Sequence, residues 1–479
     1  MNDSAPARPT PFPCAGNLIN AGQRWDVRNP WDESIAGSTF LAQEHHLDRA
    51  IEAATEAFAD TRDWPVHRRQ AVLRKIASQI EAQRETLAET ICAEAGKPIQ
   101  YARAEVDRGA ITFRSAAEVL ATFGDQTITL DLQSVGEGRA GLLRRFPLGP
   151  VAAITPFNFP LNLVAHKLAP AIAVGAPVVH KPARQTPLTA LALASIVREA
   201  GWPSAAYSVL PMSAELGQRL ASDPRLPVLS FTGSPDVGWK LKQATPRKRV
   251  CLELGGNAAV IVHEDAELAE AARRCAVGGF AYAGQTCISV QRVLAHEAIY
   301  ESFREMLIEA VSALNCGDPA DPDTQIGPMI AESEAQRAEA WIEAAIASGA
   351  VAALRGSRRR ALMTPSILEQ TTPLMDVECR EVFAPIVTLT RYDRFETALE
   401  HVNGSRFGLQ AAVFTQDLGR IMSAWRTLEV GAVVINDAST FRVEAMPYGG
   451  VKDSGFGREG VRWAMEEMTE PRLLAMRSR

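Results

Sequence analysis

Three short stretches of the chain carry side chains suited to making and breaking a covalent bond at carbon. One cysteine lies in "GGFAYAGQTCISVQRV" (278–293), a segment with three glycines and little charge. Cys287 is either a nucleophile or a small apolar side chain in a core, since free cysteine is among the most often buried residue types. In "CLELGGNAAVIV", Glu253 stands between Leu252 and Leu254 beside two glycines. Burial in so apolar a run would raise its pKa toward neutrality and suit a general base, whereas an edge-strand glutamate would point to water. In "ITPFNFPLNLVAHKLAPA", Asn158 lies between two phenylalanines and just before Pro160. A turn explains an asparagine there, and so does an amide donor aimed at a developing oxyanion.

Two further segments are suited to binding. In "LSFTGSPDVGWKLKQ" a strand is expected to end at Phe231, and Thr232-Gly233-Ser234 to open a helix whose free N–H groups could take a phosphate. A plain N-cap explains Ser234 equally well. "VVHKPARQTP" ends another strand at Lys181, where a parallel sheet carries its ligand crevice. A surface lysine after a buried strand is the alternative.

These residues need a large α/β framework. The chain has 479 residues, enough for two or three domains, with 47% hydrophobic and 22% charged residues, as in an ordinary globular protein. A net charge of −6 argues against a nucleic-acid surface, and the densest basic run, "RGSRRRA" (355–361), reads as a solvated loop. Seven dispersed cysteines make a poor disulfide framework, and eight histidines without a His/Cys cluster point to no metal site. No apolar leader or span is visible, so a cytoplasmic location and no membrane partner are expected.

Residues 1–45 read as a Pro/Gly-punctuated lead with short strands. Helical spacing follows in "HLDRAIEAATEAFADTRDW", and two more helices stop at Gly96 and Pro98. Residues 124–157 read as a projecting hairpin and then a strand ending at Thr155. "VAAIT", "PVVHK", "YSVLP" and "VLSFTG" alternate with helical segments, and a second alternating region runs from about 255 to 450. Such alternation implies parallel sheets.

The motifs "TPFNFP", "KPARQTP", "FTGSPDVG", "LELGGN", "GQTCIS", "REVFAPI", "NGSRFGL" and "MPYGGVKDSGFGREG" occur in the order and spacing of the NAD(P)-dependent aldehyde dehydrogenase superfamily, which the chain resembles over nearly its whole length. The resemblance implies a Rossmann-like cofactor domain (1–123 and 144–253), an α/β catalytic domain (254–453) and a β-hairpin oligomerisation element (124–143 and 463–479). A homodimer or homotetramer follows from that element. The resemblance also makes Cys287 the thiolate nucleophile, Asn158 and the Cys287 N–H the oxyanion donors, and Glu253 the base. Lys167 and Glu459 match positions linked to moving the base's proton. Thr155, Pro156, Lys181, Arg184, Gly233, Ser234, Gly255, Glu381 and Phe383 match cofactor contacts, the last two at the nicotinamide ribose and ring. Thr286, Ile288 and Phe441 match substrate contacts.

The pattern bends in two places. Many NAD-preferring members carry a glutamate where this chain has Arg184, and an arginine could bind a 2′-phosphate or point to solvent; NAD or NADP is therefore the expected cofactor. Arg108 stands where many relatives place an apolar residue, and Arg442 lies in the loop that walls the substrate tunnel. Two converging arginines would suit an anionic aldehyde, though Arg108 could instead pair with Glu105 on its own helix. The subgroup most resembled acts on lactaldehyde, glyceraldehyde 3-phosphate, phosphonoacetaldehyde and similar short aldehydes. Phe159 and His166, on one helical face by spacing, would line that pocket, although His166 could be a packed core residue. The alternatives are a generalist oxidiser of neutral aldehydes, an acyl-CoA-forming reductase, which Glu253 disfavours, and a catalytically silent binding protein.

Overall fold

The computed structural model describes residues 8–477; the expected outer boundaries at residues 1 and 479 lie outside them. Among the described residues, no helix is long and apolar enough to cross a membrane. The lead forms two small hairpins, Phe12–Cys14 with Asn17–Ile19 and Arg24–Arg28 with Ile35–Phe40. Four helices follow: Glu44–Thr61, Val66–Ala82, Arg84–Ala95 and Ile99–Val119. The third stops where Gly96 takes φ +64°, and a Cβ there would also meet Pro328 at 2.7 Å. The fourth buries Ala102, Val106, Ala110, Phe113 and Ala117, an i, i+3/i+4 stripe.

Continuous apolar runs become the strands of two sheets, as expected when helices cover both faces. The first sheet orders its strands Gly455–Phe456, Arg249–Glu253, Val228–Thr232, Val151–Ile154, Val178–Lys181 and Tyr207–Val209. All its pairings are parallel except that of Gly455–Phe456 with Arg249–Glu253. The chain starts this sheet in the middle, at Val151–Ile154, and builds outward on both sides. The resulting crevice opens at the carboxyl ends of Val151–Ile154 and Val228–Thr232, where open α/β sheets hold ligands.

The second sheet runs Val351–Leu354, Ser366–Glu369, Ile386–Tyr392, Val290–His296, Ala258–Val262, Gln410–Phe414 and Ala432–Ile435. Only its Val351–Leu354 edge is antiparallel. Each sheet has its own large apolar core. Strands Gln126–Ile128, Arg139–Pro147 and Thr469–Arg477 form a separate antiparallel sheet. The preceding helix, Val461–Glu467, instead packs Val461 and Met465 into the first core.

Candidate active site

Glu253 ends a strand of the first sheet, and Cys287 lies just before a strand of the second. The glycines after Glu253 let the two meet. A Cβ on Gly256 would lie 2.3 Å from the Cys287 carbonyl oxygen, and one on Gly255 would lie 2.2 Å from Glu381 Oε2. Before Cys287 the chain passes through Tyr282 and Ala283 at φ +53° and +54°. Such a backbone is costly for non-glycine residues and persists where its surroundings enforce it. Tyr282 is buried there, its hydroxyl donating to the Ala95 carbonyl at 3.4 Å.

Cys287, Glu253 and Asn158 line one tunnel of about 400 Å³. Cys287 Sγ lies 2.9 Å from the Tyr448 hydroxyl. Burial pushes its thiol up to about 12, against the Tyr448 hydrogen bond and the Arg442 charge, which pull it down. Glu253 is buried and neither carboxylate oxygen has a hydrogen-bond partner. Burial, and next the neighbouring Glu459, hold it well above the usual carboxylate range. Asn158 donates one amide N–H to the Gln285 carbonyl at 3.0 Å, and the amide has a second to give.

Behind Glu253, Lys167 Nζ donates to Glu459 Oε1 at 2.6 Å, Thr232 Oγ1 at 2.7 Å and Ser230 Oγ at 3.1 Å. Burial opposes ionisation of Glu459, but Lys167 leads the cations that keep its carboxyl below the ordinary range.

Pro156, Gly233, Ser234, Gly255, Glu381 and Phe383 share the tunnel wall with Cys287. Ser234 heads the helix Pro235–Ala244 and its side chain makes no capping bond, which leaves the hydroxyl for a ligand. The preceding strand runs one residue further than expected, to Thr232. Thr155 sits outside the wall, its hydroxyl 2.8 Å from His180 Nε2. Lys181 pairs in register with Ile154, at the carboxyl edge of the sheet. Arg184 stacks on the Trp25 ring at 3.9 Å, and the Trp25 indole donates to its carbonyl at 2.9 Å. Its Nε is buried without a partner. Burial, and then the Arg184 charge, bring Lys181 down to about 8. Glu381 accepts the Gly256 N–H at 3.0 Å, and burial pushes its carboxyl up to about 7. Phe383, at φ +52°, meets Phe157 edge to face. This donor set fits a dinucleotide: a free helix end and hydroxyl for phosphate, cations at the sheet edge, and a carboxylate for ribose hydroxyls.

At the other end, Arg108, Phe159, Thr286, Ile288 and Arg442 line the wall. Arg442 lies 3.7 Å above the Tyr448 ring, with Nε and Nη2 buried and unpartnered. Arg108 departs from the helix pairing considered for it. Its Nε donates to Glu444 Oε1 at 2.6 Å, while Glu105 pairs with Lys97 and accepts the N–H groups of Leu161 and Asn162. His166 is placed differently from the expectation too: it is fully buried outside the wall, with Nε2 on Glu444 Oε2. Phe159 precedes the helix Asn162–Val174 and so shares no helical face with His166; its ring lies under Lys97 Nζ at 3.6 Å. Phe441 points away, 45% exposed, and Thr440 takes its place in the wall.

A family model described as "Aldehyde dehydrogenase family" matches residues 19–474. The chain belongs to the aldehyde dehydrogenase family. It is 40% identical over 462 residues to a 3-sulfolactaldehyde dehydrogenase of Priestia aryabhattai, covering 96% of each chain. Aldehyde dehydrogenase 21 of Physcomitrella patens, solved with its reaction product succinate, superposes with TM-score 0.96 at 39% identity, covering 99% of each chain. A glyceraldehyde-3-phosphate dehydrogenase of Methanocaldococcus jannaschii, solved with NADP, superposes at 0.92 with 38% identity, over 96% of this chain and 100% of that one. The protein is therefore an NAD(P)-dependent aldehyde dehydrogenase with the superfamily fold.

Three wall-shaping residues of this aldehyde dehydrogenase escaped the sequence reading: Tyr448 against Cys287, Lys97 over Phe159, and Glu444 between Arg108 and His166. Tyr448 sits in "MPYGGVKDSGFGREG", and Lys97 between the helix-stopping Gly96 and Pro98. The only local signal for Glu444 was an acid two residues after Arg442.

Proposed function

We propose that this enzyme oxidises a short aldehyde bearing an anionic group to its carboxylic acid, through a covalent intermediate on Cys287. The observation that carries the reading is Arg442: a half-buried cation with two buried, unpartnered nitrogens, in one wall with Cys287 and Glu253. An unpaired buried charge is costly, and an anionic substrate would supply its partner. Two relatives support it, one named for 3-sulfolactaldehyde and one solved with succinate.

In this reading, Cys287 Sγ gives its proton to water in the tunnel and adds as the thiolate to the aldehyde carbon. The free N–H of Asn158 and the Cys287 N–H take the oxyanion of the thiohemiacetal. When bound, the nicotinamide would supply the hydride acceptor, and loss of hydride from the thiohemiacetal carbon leaves a thioester on Cys287. Glu253 then takes a proton from water, whose oxygen adds to the thioester carbon; the C–S bond breaks and the acid leaves. Glu459 takes up the proton Glu253 has gained, on its unpartnered Oε2, while Lys167 holds its Oε1. Lys181, Ser234 and Glu381 hold the cofactor, and Arg184, beside Lys181, allows NADP as well as NAD.

We infer further that the three-stranded sheet joins subunits into a dimer or dimer of dimers. Its outer strand Thr469–Arg477 exposes Leu473, Leu474 and Met476, with Leu474 at 53%, on an edge that a neighbouring chain could extend.

The test is kcat/KM with NAD and NADP for succinic semialdehyde against propanal. A preference of at least about tenfold for the anion, lost in Arg442→Met, is expected. A preference for propanal would leave a generalist oxidiser of neutral aldehydes.

A further inference from the structure

Six charged side chains line the tunnel: Lys97, Glu105, Arg108, Glu253, Glu381 and Arg442. Glu253 and Glu381 lie at the reactive and cofactor ends, where burial pushes both carboxyls toward their neutral forms. Lys97 is matched by Glu105, both fully buried. Arg108 is matched by Glu444, which lies behind the wall with a side chain 3% exposed. Each Glu444 oxygen is engaged, one by Arg108 Nε and the other by His166 Nε2. Burial holds His166 below its usual pKa, so it adds no second cation at neutral pH. Among the described residues, Arg442 is the one lining cation with no carboxylate at ion-pair distance; Glu444 and Glu459 act on it only through space.

We propose that Glu444 sets the charge number of the substrate: by occupying Arg108 it leaves a single free cation, so the tunnel takes a singly charged sulfonate or carboxylate and disfavours a doubly charged phosphonate or phosphate. The inference rests on the anionic reading of the site. One negative charge is balanced by Arg442 alone. A second charge would compete with Glu444 for Arg108, whose side chain is 29% exposed, and weakening that pair leaves a buried carboxylate less well matched. Glu444 touches no reacting atom; it is a positioning residue that acts through Arg108.

The experiment uses isosteric probes, sulfoacetaldehyde and phosphonoacetaldehyde, with propanal as baseline, at a pH above the second ionisation of the phosphonate. In the wild-type enzyme, kcat/KM for the sulfonate should exceed that for the phosphonate by at least about tenfold. Glu444→Gln keeps length and hydrogen bonding, frees the Arg108 charge, and should shrink that ratio by about the same factor. A merely structural role for Glu444 would lower both values together. A wild-type ratio at or below one, or an unchanged ratio in folded, active E444Q, overturns the proposal. Should E444Q fail to fold, the wild-type ratio is followed down through the phosphonate ionisation. It must narrow as the phosphonate gains a proton, and a constant ratio overturns the proposal. If neither anion exceeds propanal, the anionic reading itself falls; if both do and the phosphonate equals the sulfonate, only the charge-number inference falls.

Discussion

Glu253 and Glu459 are carboxylates of one buried neighbourhood with opposite settings. Glu459 is tied to Lys167 at 2.6 Å and held below the ordinary carboxylate range, while Glu253 has no partner on either oxygen and is held above it. The same division separates two regions around the tunnel. In one, the ion pairs Lys167–Glu459 behind the wall, Lys97–Glu105 in it, and Arg108 in it with Glu444 behind, match the charges they bring. Facing the tunnel, Glu253 and Arg442 are left open. Matched pairs fix geometry, since removing one member strands the other. Open groups are free to meet reactants, at a cost in stability that the surrounding core must offset.

That contrast can be broken from either side. The largest effect belongs to the open region: Cys287→Ala should lower turnover at least about 10⁴-fold, as for other nucleophiles that act within a unit. Equilibrium cofactor binding, followed by fluorescence titration, should persist. Loss of both together would make Cys287 a packing residue.

On the matched side, Lys167→Met strands Glu459 and should cost about 3–5 kcal/mol of stability by denaturant unfolding. It also sharpens the comparison through pH. Lys167 is among the charges that lower the pKa of Glu253, so its loss raises that pKa further. Base action needs the carboxylate. The ascending limb of kcat should therefore move to higher pH in Lys167→Met, provided the deacylation step limits turnover; an unmoved limb would uncouple the two regions.

The smallest effect lies at the cofactor edge. Arg184→Glu replaces a cation stacked on Trp25 with a carboxylate that repels a 2′-phosphate. The NADP/NAD ratio of kcat/KM should fall by about tenfold, the value of one charge-assisted hydrogen bond. An unchanged ratio would return Arg184 to a stacking role with Trp25.

Much of this was legible in sequence. Strands such as Val228–Thr232 and Ala258–Val262 are continuous apolar runs because both faces of each sheet are covered, and such runs declare themselves. The paired glycines after Glu253 mark close approaches of Cys287 and Glu381. What sequence could not show is which charges find each other. Arg108 and Glu105 are three residues apart on one helix, yet Arg108 pairs across 336 positions with Glu444. Glu105 is drawn instead to Lys97 and to the N–H groups that open the helix Asn162–Val174. Phe159 lies before that helix although its apolar run continues into it. Pro160 disfavours helical backbone at the residue before it, so the turn carrying Asn158 ends first.

The proposed chemistry turns on a covalent acyl intermediate on Cys287 that Glu253 releases. The most direct test mixes Glu253→Gln with NAD(P) and an aldehyde, succinic semialdehyde or propanal, and follows reduced cofactor and protein mass together. A burst of about one NAD(P)H per subunit is expected, with the following turnover lowered about 10²- to 10⁴-fold and the acyl mass on the peptide containing Cys287. Steady turnover without a burst, or the acyl mass on another residue such as Cys251, would contradict it.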